Sequence, residues 1–177
     1  MRFWQVSLIL IFIGSFSSLL TGCGFHLKGM GEQSQATYQT VRLIDLHKVN
    51  PDVKRVIIQQ FRGMNVKVVN NLADADVAVT FQATGFQTTS TGRTGRGDVA
   101  SQLLKMSQPI VVDNVQTGQQ ILTTTVTSFR DRNINNQNLQ ASSRELASIQ
   151  KQMATDLALQ VIDRVNRVYS HSQSVQK

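Results

Sequence analysis

Asp76-Val77-Ala78-Val79-Thr80-Phe81-Gln82-Ala83-Thr84-Gly85-Phe86-Gln87 alternates strictly through Val77, Val79 and Phe81. A period of two is the mark of a strand with one face buried and one in water. The stretch runs into Thr88-Thr89-Ser90-Thr91-Gly92-Arg93-Thr94-Gly95-Arg96, a run of turn formers carrying two arginines, which reads as a hairpin tip. Gly97–Val112 returns as a second, less cleanly alternating strand, in which Pro109 marks a bulge, an edge position or a break. Asp113–Gly118 is a second turn, and the threonine-rich Gln120–Phe129 is strand-prone. The middle of the chain is thus an antiparallel run of strands.

Upstream, Tyr38–Leu46 alternates around Val41 and Leu43 as a first strand. Asn50-Pro51 supplies an N-cap and a proline at the first helical position. Val53, Val56, Ile57, Gln60 and Phe61 form the stripe of an amphipathic helix, with Gly63 placed as its C-cap, and Met64–Val69 is a short strand. Downstream, Arg130–Gln140 is an Asn/Gln-rich connector. Ser142-Ser143-Arg144-Glu145 fits a capping box for a long helix over Ser143–Tyr169, whose apolar face is Leu146, Ile149, Met153, Leu157, Val161, Val165 and Val168. The expected class is α+β: a single mixed/antiparallel β-sheet of four or so strands, with two α-helices packed on one face.

Length and composition bound the rest. The 177 residues suit one globular domain, and 41% hydrophobic content is enough for a core. One cysteine excludes an internal disulfide framework and a cysteine-based zinc site. The net charge of +7 admits nucleic acid, an anionic membrane surface or an acidic ligand.

The single cysteine chooses among these. Arg2 precedes an apolar run from Phe3 to Ile13, with Ser15, Ser17 and Ser18 diluting its second half, as in a secretory signal. A retained transmembrane helix is the competing reading. Leu20-Thr21-Gly22-Cys23 resembles the bacterial lipobox, in which cleavage before the cysteine leaves it to be acylated. Several acyl chains on one residue hold a protein on a bilayer where one chain alone does not. Gly24, in place of the Asp associated with inner-membrane retention, directs the expectation to the outer membrane, facing the periplasm. The expected organisation is residues 1–22 as lipoprotein signal peptide, 23–37 as lipidated tether, 38–170 as the α+β domain and 171–177 as a disordered tail.

Catalytic patterns are sparse. His26, His47 and His171 fall in tether, loop and tail without metal-ligand spacing, so no metal or other cofactor is expected. Asp74 and Asp76 are close together, but a capping or edge-guarding role outweighs acid–base work. No serine lies in GxSxG or SxxK, and the reading is of a protein that is not an enzyme. Gly92-Arg93-Thr94-Gly95-Arg96-Gly97 lacks the Lys-Ser/Thr ending of a phosphate loop and precedes a strand. Its arginines are either solvated charges or an anion site, because guanidinium forks fit phosphate and carboxylate. Lys105 lies further along the next strand. Nucleic acid is a poor partner for a lipidated envelope protein; lipopolysaccharide is the phosphate-bearing candidate in that compartment.

The run Leu20-Thr21-Gly22-Cys23-Gly24-Phe25-His26-Leu27-Lys28-Gly29 resembles the start of the LPS-assembly lipoprotein LptE family. The β-α-β order, the Gly63 turn, and Val126-Thr127-Ser128-Phe129 before a polar connector and long helix also agree with that family. The resemblance implies two helices on a sheet of about four strands and no covalent chemistry. It further implies a plug and assembly partner inside the β-barrel LptD, in the translocon that inserts lipopolysaccharide into the outer leaflet. Family ligand contacts would fall near the middle hairpin, at Arg93, Arg96 and Lys105, with Cys23 as the lipidation site. Ser101-Gln102 stands about where the better-known enteric members have a tyrosine. The alternative is another outer-membrane lipoprotein scaffold or activator, pilotin-like or a peptidoglycan-synthase activator.

Overall fold

The computed structural model describes residues 36–135 and 137–175. The signal peptide, Cys23 and nearly all of the 23–37 tether lie outside these residues. Six strands and two long helices follow in order: β1 (Thr40–Ile44), α1 (Pro51–Gly63), β2 (Lys67–Val69), β3 (Val77–Phe81), β4 (Gly85–Arg93), β5 (Val99–Asn114), β6 (Gln119–Asn133) and α2 (Leu139–Val175). Single 3-10 turns at Leu46–Lys48 and Leu72–Asp74 precede α1 and β3. The class is the α+β expected, with a mixed sheet of six strands in place of four or so.

β1 pairs in parallel with β2 and β3, and β5 pairs antiparallel with β3, β4 and β6. The extra strands arise because the arm read as one strand over Asp76–Gln87 is broken. Phe81 pairs with Ile110 and Gly85 with Ser107, so three residues, Gln82 to Thr84, face only Gln108 and Pro109. Proline lacks the N–H a ladder needs, and the opposing strand bulges around it. Gln108, fully buried, fills the break: its amide donates to the carbonyls of Gln82 (2.8 Å) and Pro109 (3.1 Å) and its oxygen accepts from Thr84 Oγ1 (2.6 Å). Thr84 Oγ1 in turn accepts from Asn50 N–H (2.8 Å), tying the break to the cap of α1.

Alternation places Leu104, Met106, Gln108, Ile110 and Val112 of β5 on the buried face, beside Val41 and Leu43 of β1 and Val77, Val79 and Phe81 of β3. Both helices cover this face, α1 through Val53, Ile57 and Phe61 and α2 through Met153, Leu157, Val161 and Val165, all fully buried. Tyr38 meets Phe61 and Tyr169 edge-on, and its hydroxyl donates to Asn166 Oδ1 at 2.7 Å, so the one polar atom of a buried ring is satisfied. Burial pushes the phenol's pKa well above the ordinary tyrosine range.

Helix and turn boundaries differ from expectation for local reasons. Asn50 caps α1 as read, its side chain accepting from Asp52 N–H at 2.9 Å. Gly63 is the last helical residue and not the C-cap; Asn65, at φ 59°, makes the left-handed turn into β2. The first turn of α2 is capped by Asn138, whose Oδ1 accepts from Ala141 N–H at 3.0 Å, so the helix starts before the Ser142–Glu145 box. It also continues through Val175, so residues 171–175, expected in a disordered tail, are helical, and 176–177 lie outside the described residues. Ser170, Ser172 and Ser174 each donate to the carbonyl three residues back, in the last turns of the helix. β6 extends past Phe129 because Arg132 is buried and its guanidinium donates to the Ser142 carbonyl (2.6 Å) and hydroxyl. Among the described residues, no helix is long and apolar enough to cross a membrane.

Candidate functional site

The expected site lies on the β4–β5 hairpin. Two of its glycines face serines across the ladder: a Cβ on Gly85 would lie 2.7 Å from Ser107 Oγ, and one on Gly92 2.5 Å from Ser101 Oγ, hydroxyls that can turn away, with the backbone of each serine 4.0 and 3.9 Å off. At Gly92 the register slips, and Arg93 comes opposite Val99. Gly97 turns the chain at φ 89°. Thr94 ties the turn, its N–H donating to Asp98 O (2.8 Å) and its hydroxyl accepting from the N–H groups of Arg96 (3.3 Å) and Asp98 (3.2 Å). The tip is therefore Thr94–Asp98, shorter than the Thr88–Arg96 loop read from composition, and Arg93 ends a strand.

Arg93 folds back over the turn, Nη1 donating to Gly97 O at 2.8 Å, while Arg96 stands exposed on it. Neither is in an ion pair among the described residues. Lys105 is elsewhere. It sits six positions along β5 from Val99, about 20 Å at ~3.3 Å per residue. There it lies on the sheet face turned away from the helices, with Nζ 5.9 Å from the Phe129 ring centroid. The structure brings Arg93 and Arg96 together at the tip and leaves Lys105 on a second patch.

Phe129 was not singled out as a site residue. It is 49% exposed and pairs with Lys105 across the strands, as Gln87 does on the other side. A flat aromatic under an ammonium, flanked by Gln87, Ser107 and Thr127, can hold a polar ring or an anionic group against the sheet. The pairing depends on a register shift between Val112 and Asp113, for which the sequence carries no signal.

Asp76, considered for acid–base work, is a clamp. Its Oδ2 accepts from the N–H groups of Gln39 and Thr40 and from Thr40 Oγ1, each at 2.9 Å, and its Oδ1 from Gln116 Nε2 at 3.2 Å. Burial works to raise its pKa, but these bonds to the charged form outweigh it and hold the carboxyl below its ordinary value. Asp74 is exposed in the preceding turn and shares none of these bonds. Asp76 lines an open polar cleft with Tyr38, Gln116, Tyr169 and Gln173, where the chain comes into β1 beside the end of α2. Among the described residues no three His, Cys, Asp or Glu side chains are grouped to hold a metal.

No family model matches this chain, and no curated protein does. Solved structures do. Rare lipoprotein B from Shewanella oneidensis superposes with a TM-score of 0.61 at 18% identity, over 77% of this chain and 98% of that one. The uncharacterized lipoprotein B from Nitrosomonas europaea gives 0.64 at 16% identity, over 79% and 90%. A minor lipoprotein from Acinetobacter baumannii gives 0.58 at 15%, over 75% and 93%. Their names say lipoprotein and nothing of LptE. At these identities the likeness is one of architecture: the described domain has the fold of these lipoproteins.

Proposed function

We propose that this chain is an outer-membrane lipoprotein of the LptE kind, acylated at Cys23, which plugs and helps assemble the β-barrel LptD and contacts lipopolysaccharide. The observation that carries the reading is a lipobox-like run ending in Cys23 ahead of a domain with the fold of rare lipoprotein B. On this reading the protein is not an enzyme and needs no cofactor; its work is steric and electrostatic.

The layout of the domain supports that role. Asp76 fastens the incoming chain where β3 meets the Asn114 end of β5, while Arg93 pairs at the Val99 end. β5 has 16 residues, about 53 Å at ~3.3 Å each. The basic tip and the point where the described chain enters β1 therefore lie at opposite ends of β5. The uncovered sheet face is rich in threonine, at Thr80, Thr123, Thr125 and Thr127, and suits the polar interior of a membrane barrel.

Affinity capture of the acylated full-length protein from detergent-solubilised outer membranes tests the class. Co-recovery of a large β-barrel protein is expected. Recovery of a secretin or a peptidoglycan synthase instead would assign the chain to the alternative scaffold class. Palmitate labelling should disappear in Cys23→Ala; label that persists overturns the anchor. Lipopolysaccharide binding should weaken about tenfold or more in Arg93→Ala/Arg96→Ala/Lys105→Ala. Unchanged binding with barrel association intact removes these residues from the ligand site.

A further inference from the structure

The sheet ends in three edges, and they are not alike. β2 has only three residues, too short to template another strand. β6 is long, but two of its outward carbonyls are already taken: Gln160 Nε2 donates to Thr127 O (3.5 Å) and Arg130 Nη1 to Phe129 O (2.8 Å). β4 has nine residues, pairs among the described residues only with β5, and from Gly85 to Gly92 contains no proline and no charge.

Register fixes which of its groups face outward. Gln82 N–H donates to Pro109 O, so odd-numbered residues of β5 turn their main chain toward β3 and β4. Their partners in β4 are Gly85, Gln87 and Thr89. Phe86, Thr88 and Ser90 therefore point N–H and C=O off the free edge. Their side chains lie on the helix side, where all three are exposed, Phe86 at 38%. At the other end of the same edge stand Arg93 and Arg96, without an ion pair among the described residues.

We propose that the free edge of β4 is a strand-docking site for an extended segment of another polypeptide. That segment carries an apolar residue at one end, to sit against Phe86, and a carboxylate at the other, to meet Arg93 and Arg96. Main-chain bonds to Phe86, Thr88 and Ser90 supply affinity, and the two ends set the register. This goes beyond the lipid and barrel reading and does not depend on it.

The probe is a nine-residue peptide of alternating valine and threonine with two glutamates at one end, made in both chain directions. Amide exchange of the full-length protein is followed by NMR. With peptide at about ten times its Kd, the amides of Phe86, Thr88 and Ser90 should slow about tenfold. Those of Gln87 and Thr89, already bonded to β5, should be slower than these three in the free protein, the alternation that marks the open edge. Thr88→Pro removes one outward donor and should abolish the effect; Arg96→Glu, which leaves the backbone untouched, should shift preference to a lysine-ended peptide. Absence of the slowing, or of this alternation in the free protein, overturns the proposal, as does binding that survives both variants. Protection of the same three amides by raising protein concentration alone assigns the edge to a second copy of the chain and overturns the peptide partner.

Discussion

The β1–α1–β2–β3 end and the β4–β5 arm share a sheet and little else. At the first, Val41, Val53, Ile57, Phe61, Val77 and Val79 are fully buried, and β1 and β3 lie under the helices. In β4 no residue is buried, and the first five residues of β5 are only half covered. The same backbone ladder thus runs from a region that stability depends on to one that it barely touches. Local opening should follow that gradient, with the arm exchanging its amides well below the free energy of global unfolding.

The largest break of the contrast is Phe61→Ala, expected to cost about 3–5 kcal/mol because the ring is fully buried between α1 and the sheet. Chemical denaturation checks it, and the arm should unfold together with the core. Asp76→Asn comes next, at about 1–3 kcal/mol, since bonds to a charged acceptor become bonds to a neutral one. Its pH dependence has a definite sign. The folded carboxyl is held below its ordinary value, so the stabilisation is full above the unfolded pKa of about 3.9 and is lost as pH falls through the folded pKa. The gap between wild type and Asp76→Asn should therefore close in acid; a gap that widens there would contradict the clamp.

Smaller effects sharpen the other side. Gly97→Ala forces a Cβ into the left-handed region at φ 89° and should cost about 1 kcal/mol, confined to amides of residues 93–99. Phe129→Ala should cost about 0.5–1 kcal/mol through loss of the lysine–ring contact, with the melting transition otherwise unchanged. Thr89→Ala, exposed on the outer face of β4, should stay within about 0.5 kcal/mol of wild type by the same denaturation measurement.

What could be read from the chain follows the same division. Helix α1 was legible to the residue at its start, because Asn50, Pro51 and the Val53–Phe61 stripe all act locally. The covered face of the sheet was legible because Val77, Val79 and Phe81 alternate over it. The break at Gln82–Thr84 was hinted at only by Pro109, since the glutamine that fills it is distant in sequence and polar. The ends of α2 were missed for a related reason: beyond the core its turns are polar, and Ser170–Ser174 carry no apolar period to follow. For the site, composition found the basic tip but not its geometry. That Lys105 stands over Phe129 and about 20 Å from Arg93 depends on registers set by two turns and three slips, which no local pattern encodes.

The buried Gln108 at the strand break has a consequence for how such a protein can diversify. It closes the β3 side of the ladder at Phe81 and Ile110, so that β4, from Gly85 on, carries no buried residue, while β5 opposite it still sends Leu104 and Met106 into the core. Matched insertions of two residues on the tip side of Ser90 and Gln102 would lengthen the arm, preserve which side chains face which way and leave Leu104 and Met106 in the core. Selection is then free to retune reach and tip chemistry while the body stays fixed.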